Sequence, residues 1–204
     1  MKGGFLELIE RLNEDGVKFV LVGGFAGVVH GCTYVTQAID ICCDFSADNL
    51  LSIQKALKDL HPVHRMTPRR LKLKLTADNC ARIKNLYLDT DIGQVDCLAS
   101  IQGLGNYEDI EHKSEIRSLG GGLKIRVLTI DALIKARSAM NRPRDKEAVL
   151  QLEAIKKNAK STKEKLGHIL QNGPRRRRHR RGVCNIEKLK YLGPAAAAVV
   201  IDMF

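Results

Sequence analysis

Two glycines and two aspartates form the pattern in this sequence that is best suited to chemistry. Gly23 and Gly24 directly follow an apolar run, and Asp40 and Asp96 each lie in a later apolar stretch. Glycines at such a turn let the backbone approach a phosphate, and the amides at the start of a helix favour anions. Two carboxylates beside that turn would suit Mg²⁺ holding a triphosphate. Since any turn between a strand and a helix can need glycine, the Gly-Gly pair alone is weak support.

The hydrophobic periodicity predicts the elements that must position these residues. Strands are expected over residues 17–22, 36–43, 71–75, 86–89, 94–98 and 123–128. Helices are expected over residues 5–12, 25–30, 48–60 (with Ser46 as N-cap), from Thr129 or Asp131 to about 140, and 144–157. This order predicts an α/β or α+β fold, in which a β-sheet is partly covered by helices.

The positive charge of the chain is confined to one segment. The 204 residues carry a formal net charge of +11, from 34 basic and 23 acidic side chains. Residues 156–190 hold 13 of the basic and only two of the acidic ones, so the remainder is balanced at 21 against 21. We therefore predict a neutral domain over residues 1–157 and a basic, disordered C-terminal extension over 158–204.

The basic run Arg175–Arg181 lies in that extension and leaves two interpretations open. It could contact an RNA or DNA backbone without sequence preference, through salt-dependent phosphate contacts. It could equally be a solvated tail without a specific role. No aromatic residues are interleaved with the arginines, so base stacking is not supported.

The cysteines and the hydropathy bear on the compartment. The six cysteines include no C-x-x-C pair, and no apolar run is long enough to cross a membrane. Reduced, buried thiols in a cytoplasmic protein without membrane contact are therefore expected. His61 and His64 could supply half of a zinc site, but no cysteine pair frames them.

Taken together, the glycine pair, a His-Gly step and the aspartates resemble the nucleotidyltransferase superfamily related to DNA polymerase β. The pattern is similar to the branch of small bacterial and archaeal nucleotidyltransferases, which includes antitoxin-type members. That branch has an apolar strand, Gly-Gly or Gly-Ser, Ala, His-Gly, Thr-x-Asp-x-Asp and a third Asp on a later strand. The resemblance covers roughly residues 5–155, and the matching residues are Gly23, Gly24, Ala26, His30, Gly31, Thr36, Asp40 and Asp96.

The resemblance implies a mixed β-sheet flanked by helices and a metal-dependent transfer reaction. A nucleoside monophosphate would pass from a nucleoside triphosphate, with ATP expected, to a hydroxyl on RNA, protein or a small molecule. Asp40 and Asp96 would be the catalytic residues and would hold Mg²⁺ or Mn²⁺. The expected nucleotide-binding residues are Gly23, Gly24, Thr36, Lys135 and Arg144. Lys135 and Arg144 could equally form a solvated helix face.

Two positions depart from the family pattern. Ala38 stands where the first metal-binding Asp is expected, and Tyr34 stands where an Arg is often found. The loss of a carboxylate predicts strongly weakened metal binding and catalysis. Three hypotheses remain: an impaired nucleotidyltransferase, a catalytically inactive nucleotide-binding or antitoxin-like module, and a nucleic-acid binder driven by the tail.

Four further residues are candidates for a role in the site or in packing. His30 could belong to the site or could pack the end of its helix, and Asp145 is expected to pair with a basic neighbour. Arg69 and Arg70 are weak candidates for contacts to a phosphate or an acceptor.

Overall fold

A computed structural model describes residues 4–172 of the chain. The helices are α1 Gly4–Glu14, α2 Gly23–Val29, α3 Ala47–Leu57, α4 Ala77–Cys80, α5 Tyr107–Glu111, α6 Ile130–Met140 and α7 Pro143–Asn172, with a 3-10 turn over Lys58–Leu60. The strands are β1 Phe19–Val22, β2 Ala38–Cys43, β3 Val63–His64, β4 Asn85–Thr90, β5 Gly93–Leu98, β6 Ser100–Ile101, β7 Gly105–Asn106, β8 Ser114–Ser118 and β9 Lys124–Leu128.

Seven of these strands form one mixed sheet in the order β3-β4-β5-β2-β1-β9-β8. The central pair, β2 and β5, is parallel, and β1 is also parallel to β9. The other neighbours in this sheet are antiparallel. Strands β6 and β7 form a separate small hairpin. The predicted mixed sheet flanked by helices is confirmed.

The core is one apolar cluster between the sheet and its helices. Helix α1 buries Leu8, Ile9 and Leu12 with no exposed surface, because these residues share one face at helical spacing. Strand β2 buries Ile39 and Ile41 completely. Since successive strand residues point to opposite faces, Ala38 and Asp40 lie on the other face of the same strand. The alternation thus places the candidate site on the face of β2 opposite these two isoleucines.

Two predicted elements differ from the structure. Residues 71–75 do not form a strand, and only Lys72 makes an isolated bridge, to Val63. Their partner, β3, has only two residues, so a longer ladder cannot form there. The last helix does not end near residue 157 but continues to Asn172, since the sequence has no proline between Pro143 and Pro174 and residues 158–165 include helix formers.

The chain divides into two compact units, Met1–Ile155 and the part from Lys156 onward, and the sheet belongs to the first. The predicted boundary between residues 157 and 158 stays a prediction, and the basic run Arg175–Arg181 lies outside the described residues. Across residues 4–172, no helix is long and apolar enough to span a membrane.

Within the same range the five cysteines are free and buried, as predicted, and Cys184 falls outside it. No group of three or more metal-binding side chains is found there either. His61 instead contacts Asp91, with 2.7 Å between its Nδ1 and a carboxylate oxygen.

Candidate functional site

The register of the sheet places the candidate residues in one row across four strands. Asp40 of β2 pairs with Asp96 of β5 on one side and with Val22 of β1 on the other. Asp96 in turn pairs with Tyr87 of β4. The row ends at Arg65, whose backbone amide donates to the Tyr87 carbonyl at 3.0 Å. Residues aligned on adjacent strands point to the same face, so Asp40 and Asp96 lie side by side.

The Gly-Gly turn is fitted directly around Asp40. Gly23 has φ of +65°, and a Cβ there would collide with the Asp40 carboxylate, so only glycine fits this backbone. The Gly24 amide donates to Oδ2 of Asp40 at 3.2 Å. Burial raises the pKa of Asp40, although the Gly24 hydrogen bond and the charges of Arg137, Arg65 and Arg144 act in the opposite direction. The Gly24 amide therefore holds an internal carboxylate in the described structure.

Asp96 is held by an arginine that the sequence analysis did not identify. Arg65 donates from Nη1 to Oδ1 and from Nη2 to Oδ2, both at 2.6 Å. The guanidinium also lies over the Tyr87 ring, 5.5 Å from its centroid. Asp96 is only 8% exposed. Burial raises its pKa to about 6, the Arg65 charge opposes this shift, and the neighbouring Asp40 charge adds to it.

A second arginine, Arg137 of α6, also points into the site. Its Nη1 donates to Oδ1 of Asp145 at 2.9 Å, and its Nη2 would lie 4.0 Å from a Cβ at Gly24. Asp145 is 1% exposed and also accepts from Nε of Arg142 at 2.7 Å. Burial opposes its ionisation, but these arginine hydrogen bonds outweigh it and keep the pKa of Asp145 low. Asp145 therefore has the structural pairing role that was expected, and it also orients Arg137.

Thr36 and Ala38 complete the wall beside the glycine turn. The Thr36 hydroxyl donates to the Ala38 carbonyl at 2.9 Å, so it shapes the entry to β2. A Cβ at Gly24 would lie 2.8 Å from Oγ1 of Thr36, which shows how closely these two segments of the chain approach each other. Ala38 shares the face of Asp40 but contributes only a methyl group.

The basic residues predicted from the sequence differ in whether they face the site or the solvent. Lys135 is exposed on α6, whereas Arg137 on the same helix faces the site. Arg144 is exposed at the start of α7, yet its charge lowers the pKa of Asp40, so it contributes to the electrostatics of the site. Arg70 pairs with Asp89 at 2.8 Å, and Arg69 is exposed.

The buried side chain of His30 and the half-buried Tyr34 lie next to the site. The Nε2–H of His30 donates to the Leu128 carbonyl at 2.8 Å and so ties the end of α2 to β9. Burial lowers the pKa of His30. The Tyr34 hydroxyl fills the notch left by the missing side chain of Gly27, and burial raises its pKa to about 12. Both residues have clear packing roles.

The donor set does not fit a pair of divalent ions. Ala38 supplies no oxygen from its side chain, both oxygens of Asp96 are held by Arg65, and one oxygen of Asp40 accepts from Gly24. Mg²⁺ needs near-octahedral oxygen coordination, and an ion chelated by Asp96 would have to displace Arg65. The metal-ligand role of Asp40 and Asp96 stays a prediction. As arranged, the carboxylates can orient cationic groups, and an ionised Asp40 could accept a proton.

Comparison with known proteins identifies the fold. No protein-family profile matches the chain, and no curated protein sequence matches it. The lincomycin-bound crystal structure of the lincosamide antibiotic adenylyltransferase LnuA superposes with a TM-score of 0.50 at 17% identity, over 76% of this chain and 98% of LnuA. The solution structure of the antibiotic-resistance factor ANT(2'')-Ia gives a TM-score of 0.45 at 12% identity, over 82% and 95%. The chain has the nucleotidyltransferase fold.

Neither Arg65 nor Arg137 was assigned a role in the site from the sequence. The sequence does indicate that Arg137 faces inward, because Leu133 and Ala136 define the buried face of α6 and Arg137 lies on that face. No such pattern indicates the position of Arg65, since it follows a strand of two residues and meets Asp96 only through the register of β3, β4 and β5.

Proposed function

We propose that this protein binds a nucleoside triphosphate in the site around Asp40 and Asp96. In this proposal it transfers a nucleoside monophosphate to a hydroxyl acceptor, at a rate strongly reduced by Ala38. The observation that carries the proposal is the pairing of Asp40 with Asp96 on parallel strands, directly beside the Gly23–Gly24 turn. Phosphoryl transfer depends mainly on positioning and on electrostatic stabilisation, and this row supplies charged groups held in fixed positions beside a closely approaching backbone turn.

Several features support the binding half of the proposal. Arg65 and Arg137 flank the carboxylates, and Arg144 adds a positive charge that acts on Asp40. Guanidinium groups bind phosphate oxygens through paired hydrogen bonds. The absence of a side chain at Gly24 lets this backbone approach Thr36 closely beside the carboxylates. ATP is the nucleotide to test first. Lys135 is exposed on α6, so it would contact the phosphates only if the nucleotide extended along that helix.

The acceptor is proposed only by class. LnuA is described as a lincosamide antibiotic adenylyltransferase and was solved with lincomycin bound. A small-molecule hydroxyl is therefore the acceptor class we would test before RNA or a protein side chain. A cytoplasmic location is part of the same proposal, since the five described cysteines are unpaired.

A catalytically inactive nucleotide-binding or antitoxin-like interaction module is the second candidate. It is favoured by Ala38 together with the closed Arg65–Asp96 pair. Such a protein would keep the fold and would bind the nucleotide, but it would have no means to activate an acceptor hydroxyl. The two candidates agree on binding and differ only in transfer.

The first experiment measures ATP binding and transfer by the wild type, Ala38→Asp and Ala154→Asp. Ala154 is exposed on α7, so its variant adds the same charge outside the site. We expect calorimetric binding of ATP to the wild type and Ala154→Asp. We expect label transfer from α-labelled ATP to rise about 10-fold or more only in Ala38→Asp, because a carboxylate returns to the site.

The outcomes separate the candidates. If neither the wild type nor Ala38→Asp binds ATP, the proposed function is wrong. If both bind ATP and neither transfers label to any hydroxyl acceptor, the inactive module is the better description.

A further inference from the structure

We propose that Arg65 takes the place of a divalent cation at Asp96, so that the site binds the phosphates of a nucleotide without metal. The inference rests on the proposed nucleotide binding and adds which side chain neutralises the negative charge of the phosphates. Its basis is the position of one arginine side chain in the row formed by β3, β4, β5 and β2.

The position of Arg65 is fixed by the sheet. Its backbone is bonded to Tyr87 and Tyr87 pairs with Asp96, so Arg65 lies two strand spacings, about 10 Å, from Asp96. An extended arginine spans most of that distance and passes over the ring of Tyr87 on the way. The guanidinium then meets both carboxylate oxygens at 2.6 Å. Strand register, ring stacking and a bidentate pair all fix the same geometry.

This geometry closes Asp96 to a cation. A divalent ion that chelates both oxygens of Asp96 needs the lone pairs that Arg65 occupies here. It would have to break a charge-assisted pair whose side chains are only 19% and 11% exposed, and it would place two further positive charges beside the guanidinium. A carboxylate at position 38 would offset these costs of binding a metal ion, but the residue there is Ala38.

The same arginine remains able to bind an anion. A guanidinium has five N–H donors, and Arg65 uses two of them on Asp96. Three donors are left, and the side chain is 19% exposed, so a phosphate oxygen can approach it. Arg137 is held by a single hydrogen bond from its Nη1 to Oδ1 of Asp145, and its Nη2 lies towards Gly24. Two oriented guanidinium groups thus stand on either side of Asp40.

The charges at the site agree with this function. Asp40, Asp96 and Asp145 carry three negative charges when ionised, and the arginines paired with the latter two, Arg65, Arg137 and Arg142, carry three positive charges. An approaching phosphate therefore meets no net repulsion, and Arg144 adds a further positive charge nearby. A site made of carboxylates alone would repel a phosphate until a metal ion neutralised it.

The experiment measures ATP affinity by calorimetry with Mg²⁺ and with EDTA, for the wild type, Arg65→Ala, Arg65→Lys and Arg70→Ala. Arg70 is the matched control, because it lies in the same loop but pairs with Asp89 at an exposed position. We expect the wild type and Arg70→Ala to bind ATP within about 3-fold of the same affinity in both conditions. Arg65→Ala should lose about 10-fold or more in EDTA, and Arg65→Lys should fall between them because it keeps the charge without the fork.

A second measurement makes the test independent of nucleotide binding. Mn²⁺ is titrated into each variant and followed by electron paramagnetic resonance. The wild type and Arg70→Ala should leave Mn²⁺ free in solution, while Arg65→Ala should bind it more tightly, since Asp96 is then open. Circular dichroism checks that the variants are folded. If Arg65→Ala is not folded, Arg65→Lys replaces it in both measurements.

The possible failures are distinct. If the wild type binds ATP with Mg²⁺ but loses it about 10-fold or more in EDTA, or if it binds Mn²⁺ tightly, the inference is overturned and the proposed function stands. Equal loss in Arg65→Ala and Arg70→Ala would also overturn it. If the wild type binds no ATP in either condition, the proposed function fails and this inference fails with it.

Discussion

Gly23 is the residue at which the backbone and the site depend on each other most directly. Its φ of +65° disfavours any side chain, and the space a Cβ would need is filled by the Asp40 carboxylate. Gly16 has nearly the same φ, +68°, but has no atom within 4 Å of its hypothetical Cβ. The two positions therefore separate the cost of left-handed backbone from the cost of collision.

We expect Gly16→Ala to lower the free energy of unfolding by about 1–2 kcal/mol, the cost of left-handed backbone alone. Gly23→Ala should lower it further, by about 2–5 kcal/mol in all, because Asp40 must also move. Urea unfolding of both variants measures the difference. A loss at Gly23 no larger than at Gly16 would mean that Asp40 yields freely and that the turn does not fix its position.

At the scale of elements, the parts of the site that could be predicted are those carried by local patterns. Asp40 and Asp96 were identifiable because each interrupts an apolar strand and matches a family motif. Arg65 and Asp96 are 31 residues apart and meet only when β3, β4 and β5 are in register. Register is a long-range property of the sheet, and a strand of two residues leaves almost no periodicity in the sequence.

His30 connects two elements, the end of α2 and strand β9, and makes their contact sensitive to pH. Its side chain is 1% exposed, it donates to the Leu128 carbonyl, and burial lowers its pKa. Two groups of β8 face it: Arg117, whose charge also lowers the pKa, and Glu115, with an oxygen 3.9 Å from Nδ1, which raises it. Neutral His30 is thus the form that the fold favours.

The sign of the pH dependence follows from the lowered pKa. Between the folded pKa and the unfolded value of 6.5, the unfolded chain binds more protons, so stability is full above 6.5 and falls as pH drops. We expect the free energy of unfolding to decrease from about pH 7.5 to about pH 5.5 by more in the wild type than in His30→Gln. Asp96 titrates in the same range with the opposite sign, but it is present in both proteins and cancels in the comparison. An equal pH dependence would show that His30 does not titrate on unfolding.

For the whole molecule, charge and core are separate. The apolar cluster of the sheet domain ends with Leu152 and Ile155 on α7. The excess positive charge lies in residues 156–190, which follow the last described core residue in the sequence. Nucleotide binding and contact with a polyanion are therefore proposed for different parts of one chain and can be removed independently.

Truncation after residue 157 tests this separation. We expect the shortened protein to keep its melting temperature within about 3 °C and to keep its affinity for ATP, because the site and the core are intact. Its affinity for a fluorescent single-stranded RNA should fall sharply, and the salt dependence of that binding should become flatter, because each lost phosphate contact removes about 0.7 from the slope. Fluorescence anisotropy at several salt concentrations measures both. Unchanged RNA affinity without the tail would exclude the basic run as a nucleic-acid contact and would move the search for polyanion binding to the sheet domain.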